Sequence, residues 1–227
     1  LTLEHIRLQQ GDFVLEADWQ IDAPGLVAVI GPSGGGKSTL LSVIAGFEVP
    51  DAGRVLWNGA DLGPEAPGKR PVAVLFQDNN LFPHLDVLTN VALGASPRTR
   101  PSKAVKKQAR EALARVGLAG FDARRPGELS GGQQSRVALA RILTTDRPIV
   151  LMDEAFSALG PAMRAEMIEL VKELLPNALI LMVTHDPKDA RRRADRTIFV
   201  DNGQVHAPVP TETLFSDPPD GLRRYLD

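Results

Sequence analysis

Apolar and polar positions alternate through residues 1–8 and 13–21, which predicts antiparallel strands with one buried face. Residues 26–30 are apolar without a break and stop at Gly31, the pattern of a strand covered on both faces. The period then changes at once: Leu40, Leu41, Val43 and Ile44 form the wide apolar stripe of a helix. Residues 55–57 run into Asn58-Gly59, a tight-turn signal. From 83 to 141 the character is helical. Ser102 is placed to cap a helix whose Val105, Ala109, Ala112, Leu113 and Val116 share a face, with Gly117 near its end. Between them Lys103, Lys106, Lys107 and Arg110 form a solvated face or, alternatively, a binding patch. Strand-like runs return at 149–152, 180–183 and 197–200, the last meeting Asn202-Gly203. The pattern predicts an α/β core interrupted by a helical subdomain, with a short C-terminal tail and no internal repeat.

Composition narrows the classes of function. The chain has 227 residues and a formal net charge of -2, which argues against nucleic acid or anionic lipid held by bulk charge. Cysteine is absent, so disulfides, thiolate catalysis and Cys-based metal sites are excluded. No apolar run approaches the roughly 20 residues that span a bilayer. Residues 1–7 carry charge and no apolar h-region, so no signal peptide is expected and a cytoplasmic location is the default.

Chemistry enters at Gly31, Pro32, Ser33, Gly34, Gly35, Gly36, Lys37 and Ser38, followed by Thr39. These residues fit the P-loop pattern between a buried strand and a helix. Glycines let backbone N–H groups converge on phosphate oxygens, and the helix N-terminus adds favourable partial charge. Lys37 is expected on the β- and γ-phosphates and the Ser38 hydroxyl on Mg²⁺. The plainer reading is a Gly-rich turn that binds nothing. A second buried strand ends in Asp153 and Glu154; Asp153 is expected to hold Mg²⁺ through water, and Glu154 to polarise the attacking water. Alone, such a pair would be a surface turn. Leu129, Ser130, Gly131, Gly132 and Gln133 read as a loop entering a helix at 134–143, which is either a simple N-cap or a second anion site.

With these motifs in this order, the chain closely resembles the ABC ATPase family over nearly its whole length. The resemblance implies an α/β, P-loop NTPase (RecA-like) core with an antiparallel β subdomain and an inserted α-helical subdomain. It implies one domain over 1–227, with 1–82 and 142–227 as core and β subdomain and 83–141 as the helical signature subdomain. It also implies ATP and Mg²⁺, and a homodimer in which Ser130, Gly131, Gly132 and Gln133 of one subunit close on ATP held by Lys37 of the other. Gln77 matches the family's Q-loop glutamine, near Mg²⁺ or the lytic water. His185 matches the switch histidine that contacts the γ-phosphate, whereas His5, His84 and His206 are expected to be structural.

Departures from the family pattern are visible. Gln9 and Gln10 stand where an aromatic residue stacks on adenine, and Phe13 is the nearby aromatic, in a strand pattern. Ala155 replaces a proline after the Asp-Glu pair. Ser157, Ala158, Leu159 and Gly160 lack the aspartate that ends this loop in the family, so weaker coupling between paired sites is expected. Within residues 69–85, Phe76-Gln77-Asp78-Asn79-Asn80-Leu81-Phe82 resembles the ATPase subunits of bacterial thiamine importers. The chain after Val205 is too short for the added regulatory domain of sugar-importer ATPases. Import of thiamine or its phosphate esters is expected, with polyamine, iron or molybdate import, or a non-transport ABC ATPase, as rivals. The implied partners are an integral membrane permease and, indirectly, a periplasmic solute-binding protein, with no nucleic acid. The implied place is the cytoplasmic face of the inner membrane. Leu81, Phe82 and Leu85 either hold a partner helix in a groove or pack the helical subdomain.

Overall fold

The computed structural model of the chain describes residues 1–22 and 24–226. Contacts gather it into two units, residues 1–72 with those from Asn177 onward, and Ala73–Pro176.

In the first unit, β1 (Thr2–Gln10) and β2 (Phe13–Gln20) pair antiparallel across Gly11. Leu3, Ile6 and Leu8 are buried, so the period of two slips by one place between Leu3 and Ile6. A bulge at that point, with His5 at φ 46°, absorbs the extra residue and keeps all three on the core face. After β3 (Gly25–Ile30) and helix α1 (Lys37–Ala45), β4 (Ala52–Trp57) and β5 (Ala60–Asp61) turn through Asn58 and Gly59, both at positive φ.

In the second unit, β6 (Val72–Leu75) leads to α2 (Val87–Ala95), α3 (Lys103–Arg115), α4 (Gly131–Thr145), β7 (Ile149–Asp153) and α5 (Pro161–Leu174). Ser102 caps α3 as expected, accepting from the Val105 N–H at 3.3 Å. Ala109, Ala112, Leu113 and Val116 are buried, while Lys103, Lys106, Lys107 and Arg110 are exposed, with Arg110 paired to Asp122. The cationic face is therefore solvated. Strand β7 lies beside β6.

The chain then returns to the first unit through β8 (Leu179–Val183), α6 (Pro187–Arg193), β9 (Arg196–Asp201), β10 (Gln204–Val205), β11 (Val209–Pro210), α7 (Thr211–Ser216) and α8 (Asp220–Leu226). The strand order within this unit is β5-β4-β1-β2-β10-β9-β3-β8, with β11 on β9. Strands β5-β4-β1-β2 pair antiparallel, as do β10 and β11 with β9, while β10 runs parallel to β2. Strand β3 is parallel to both β8 and β9. Its residues Leu26, Val27, Ala28, Val29 and Ile30 are all at most 3% exposed, which is why its sequence carries no alternation. Ala28, Ile30 and Phe199 also pack with Leu214 and Leu222 of the two C-terminal helices.

Candidate functional site

The phosphate loop follows from the register of β3 and β8. Val29 lies opposite Val183, so Gly31–Ser38 and Thr184–His185 leave the sheet at the same, C-terminal end of adjacent parallel strands. Ligands of open α/β sheets bind at such ends. Backbone geometry then dictates the residue types. Gly31 has φ 148°, and a Cβ there would collide with the Val200 carbonyl oxygen. Gly36, at φ 108°, is the N-cap of α1, with no side chain capping the helix. A Cβ on Gly36 would come within 2.9 Å of the Phe13 ring, which therefore lies against the loop. The loop is braced from below: Gly203 N–H donates to Gly35 C=O at 3.0 Å, and the Gly203 carbonyl accepts from Glu16 N–H at 2.8 Å. The Asn202-Gly203 turn thus supports the phosphate loop as well as joining β9 to β10.

Lys37 is buried, and its Nζ donates to the Gly31 and Pro32 carbonyls at 2.8 Å each. Ser38 is exposed and Thr39 half-buried in the first turn of α1, while Ser33 and Gly34 are exposed at the loop's crest and Pro32 is half-buried. His185 is exposed beyond β8; its carbonyl accepts from the Tyr225 hydroxyl at 3.3 Å.

The opposite end of α1 is held by Arg70, 3% exposed. Its Nη1 donates to the Val43 and Ile44 carbonyls at 2.9 Å each, and its Nε to Glu65 C=O at 3.2 Å. Burial pulls its guanidinium below its ordinary pKa, against an upward pull from Asp61. Gly46 ends the helix at φ 84°, where a Cβ would meet the same guanidinium. The sequence pattern did not single out Arg70; an arginine just before a strand gives no sign that it caps a helix 26 positions earlier.

The second unit carries the other candidate residues. Asp153 ends β7 half-buried, and Glu154 follows at φ 47°, with Phe156 at φ 71°. Two non-glycine residues in left-handed backbone are costly, and such strain concentrates at functional positions. Helix α4 begins at Gly131, three residues earlier than the expected 134, because Ser130 and Gln133 form a capping box. Ser130 Oγ accepts from Gln133 N–H at 3.3 Å, and Gln133 Oε1 accepts from Ser130 N–H at 3.0 Å. That local closure offsets the poor helix propensity of Gly131 and Gly132. A Cβ on Gly132 would strike the Met163 sulfur, so the exposed Met163 of α5 sits over this helix start.

Gln77 is exposed after β6, at the head of a well-anchored loop. Buried Asn90 of α2 accepts from Phe82 N–H at 2.8 Å and donates to the Phe82, Leu85 and Asp86 carbonyls. Leu81 and Leu85 are half-buried and Phe82 is 45% exposed, edge-on to His84, so the segment does not simply pack the helical core. His5 pairs with Asp18 at the bulge, and His206 stacks on Phe199. Among the described residues no group of three or more His, Asp or Glu could hold a metal by itself, and no helix is long and apolar enough to cross a membrane.

Comparison with known proteins agrees with this geometry. The family described as ABC transporter matches residues 14–157. A "Thiamine import ATP-binding protein ThiQ" from Cereibacter sphaeroides is 57% identical over 228 residues, covering 100% of this chain and 99% of the relative. Proteins of the same name from Ruegeria sp. and Brucella suis are 54% and 45% identical, each over 100% of this chain and over 99% and 95% of their own. Among solved structures, the ATP-binding cassette MJ0796, in a dimeric post-hydrolysis state bound to ADP and Pi, aligns with a TM-score of 0.76 and 29% identity, covering 92% of this chain and 98% of that one. The expected α/β P-loop NTPase fold is the fold found. With a braced phosphate loop at the end of a buried parallel strand, this chain belongs to the ABC transporter family and is one of its ATP-hydrolysing cassettes.

Proposed function

We propose that the chain is the ATPase subunit of a bacterial importer of thiamine or its phosphate esters. It would work as a head-to-tail homodimer on the cytoplasmic face of the inner membrane, docked on an integral permease that receives solute from a periplasmic binding protein. One ATPase domain would run through 1–227, with 83–141 as its helical signature subdomain. The observation that carries the ATP site is the phosphate loop, with Lys37 already turned inward on loop carbonyls and no side chain capping α1. The solute rests on the names of relatives similar over the full chain.

In this reading Gly31, Pro32, Ser33, Gly34, Gly35, Gly36 and Thr39 cradle the ATP phosphates through backbone N–H groups and the start of α1. Lys37 exchanges its two carbonyl acceptors for β- and γ-phosphate oxygens. The Phe13 ring beside Gly36 is the aromatic surface offered to adenine. Ser38, Gln77 and Asp153 supply a hydroxyl, an amide oxygen and a carboxylate. This donor set suits Mg²⁺, a hard cation that completes its shell with water and phosphate oxygens. When bound, that ion would neutralise charge on the γ-phosphate and orient it. Glu154 accepts a proton from water as the water oxygen bonds to the γ-phosphorus, the bond from the γ-phosphorus to the bridging oxygen breaks, and ADP departs with that oxygen. His185 donates to the γ-phosphate. Ser130, Gly131, Gly132 and Gln133 of the second subunit close the site. The Ser130 hydroxyl only accepts in its capping box, which leaves its O–H to donate to phosphate.

The test is Glu154→Gln. Hydrolysis should fall by about 10²–10⁴-fold, the range for a lost general base. ATP binding should persist, and an ATP-dependent dimer should accumulate on size-exclusion chromatography. A monomer at every ATP concentration with near-normal turnover would overturn the assignment. For the solute, thiamine should stimulate hydrolysis by the reconstituted complex more than a polyamine does.

A further inference from the structure

Within Ala73–Pro176, helix α4 starts at the Ser130–Gln133 capping box and later presents Arg141 to the loop after β6. Arg141 Nη1 donates to the Asn80 carbonyl and Nη2 to the Asn79 carbonyl, each at 2.7 Å. Both acceptors are left-handed, Asn79 at φ 59° and Asn80 at φ 45°. Successive left-handed residues turn both carbonyls the same way, where extended backbone would alternate them. A planar guanidinium fork can then take both, which a single ammonium cannot do with the same geometry. After glycine, asparagine is the residue that best tolerates this backbone. The Asn79 side-chain oxygen is buried and has no hydrogen-bond partner among the described residues. No hydrogen bond of that oxygen explains the choice of asparagine, whereas the left-handed backbone does. Asp78 completes the turn, accepting from Asn80 N–H at 3.2 Å. Burial pulls the Arg141 guanidinium below its ordinary pKa and the Asp78 charge pulls it up, consistent with a desolvated cation answered locally.

We infer that Arg141 is a positioning residue which, with the left-handed Asn79-Asn80 pair, locks the turn between Gln77 and Leu81-Phe82 to the helix that begins at Ser130. The pair is then a conformational device rather than a recognition element. The functional consequence rests on the roles proposed above for Gln77 and for the docking of residues 81–85; the lock itself does not.

Hydrogen exchange on the full-length protein reads the lock without nucleotide or permease. In Arg141→Lys, losing one of two charge-assisted bonds should raise exchange at residues 78–82 by about 5–30-fold, with α4's own amides unchanged. Changing both asparagines to valine should raise it comparably, and changing both to glycine should raise it clearly less, since glycine keeps the left-handed backbone and loses only the Asn80 amide beside Asp78 and some chain stiffness. In the assembled transporter, Arg141→Lys should lower kcat for ATP hydrolysis with KM unchanged, because the phosphate loop is untouched. Unchanged exchange in Arg141→Lys, or a glycine pair as loose as the valine pair, overturns the lock. A loosened turn with unaltered kcat overturns the positioning role. If Arg141→Lys fails to fold, the two asparagine pairs alone decide the matter. Absence of hydrolysis in the wild-type protein would instead overturn the ATPase reading and leave the exchange result standing.

Discussion

Replacing Arg70 with methionine tests whether the phosphate-loop helix depends on a cap supplied from outside it. Methionine roughly preserves the buried stem and removes every donor. Of the two α1 carbonyls that lose Arg70, Val43 keeps the Gly46 N–H at 3.2 Å, whereas the Phe47 and Glu48 amides both go to Ser42, leaving Ile44 bare. Stranding the buried Ile44 carbonyl costs about 1–3 kcal/mol, and losing the charge-assisted bonds to Val43 and Glu65 about 1.5–3 kcal/mol each. A cation at a helix C-terminus contributes about 0.3–1 kcal/mol more. Against this, the variant no longer desolvates a guanidinium, the cost marked by its lowered pKa. The net expectation is a loss of about 2–4 kcal/mol. At about 2–4 °C per kcal/mol for a chain of this size, the melting temperature should fall by about 4–16 °C. Circular dichroism melts, and urea titrations with an unchanged m-value, measure it. Arg70→Lys should recover part of the loss, since one ammonium can still reach a carbonyl. A fall under about 2 °C in Arg70→Met, half the least expected, would show that water satisfies these carbonyls and that Arg70 is not the cap.

Further outcomes are expected. Ser130→Arg places a bulky cation where the partner's γ-phosphate should arrive; nucleotide binding by the isolated subunit should hold while hydrolysis is lost, and loss of binding as complete as in Lys37→Ala would refute the shared site. Leu81→Glu, on a half-buried position beside exposed Phe82, should weaken assembly with the permease in pull-down while basal hydrolysis persists; equal loss of both would mark a core position. Gly160 is the N-cap of α5 with φ -61°, ψ 156° and open space at its Cβ. Gly160→Asp should therefore raise stability by a few tenths of a kcal/mol through capping and steepen cooperativity in hydrolysis against ATP; a wild-type curve already strongly sigmoidal and unchanged would refute the second expectation.

Much was legible in the sequence because it was local. The unbroken apolar run of β3, the alternation in β2, the Ser102 cap and the Asn-Gly turns each depend on residues a few positions apart, where side-chain period and backbone preference act directly. The phosphate loop was equally legible, since Gly31 and Gly36 occupy backbone that side chains seldom adopt. Even the Ser130–Gln133 box is present in the letters, and it starts α4 at Gly131, ahead of the 134 expected from the sequence.

What only the tertiary structure decided are the long-range supports. That Arg70 caps α1, Asn90 fixes Phe82, Arg141 grips Asn79 and Asn80, and Gly203 braces Gly35 follows from which elements fold onto one another. The Arg70 and Arg141 guanidiniums find their carbonyls across tens of residues, and the Asn90 amide finds its own across a loop, because burial leaves those carbonyls little water, a requirement that exists only once the chain is packed. The pattern of apolar positions determined the elements and the local chemistry of the loop. The conformation in which Gln77 and Phe82 are held came from buried polar groups, whose partners no spacing rule encodes.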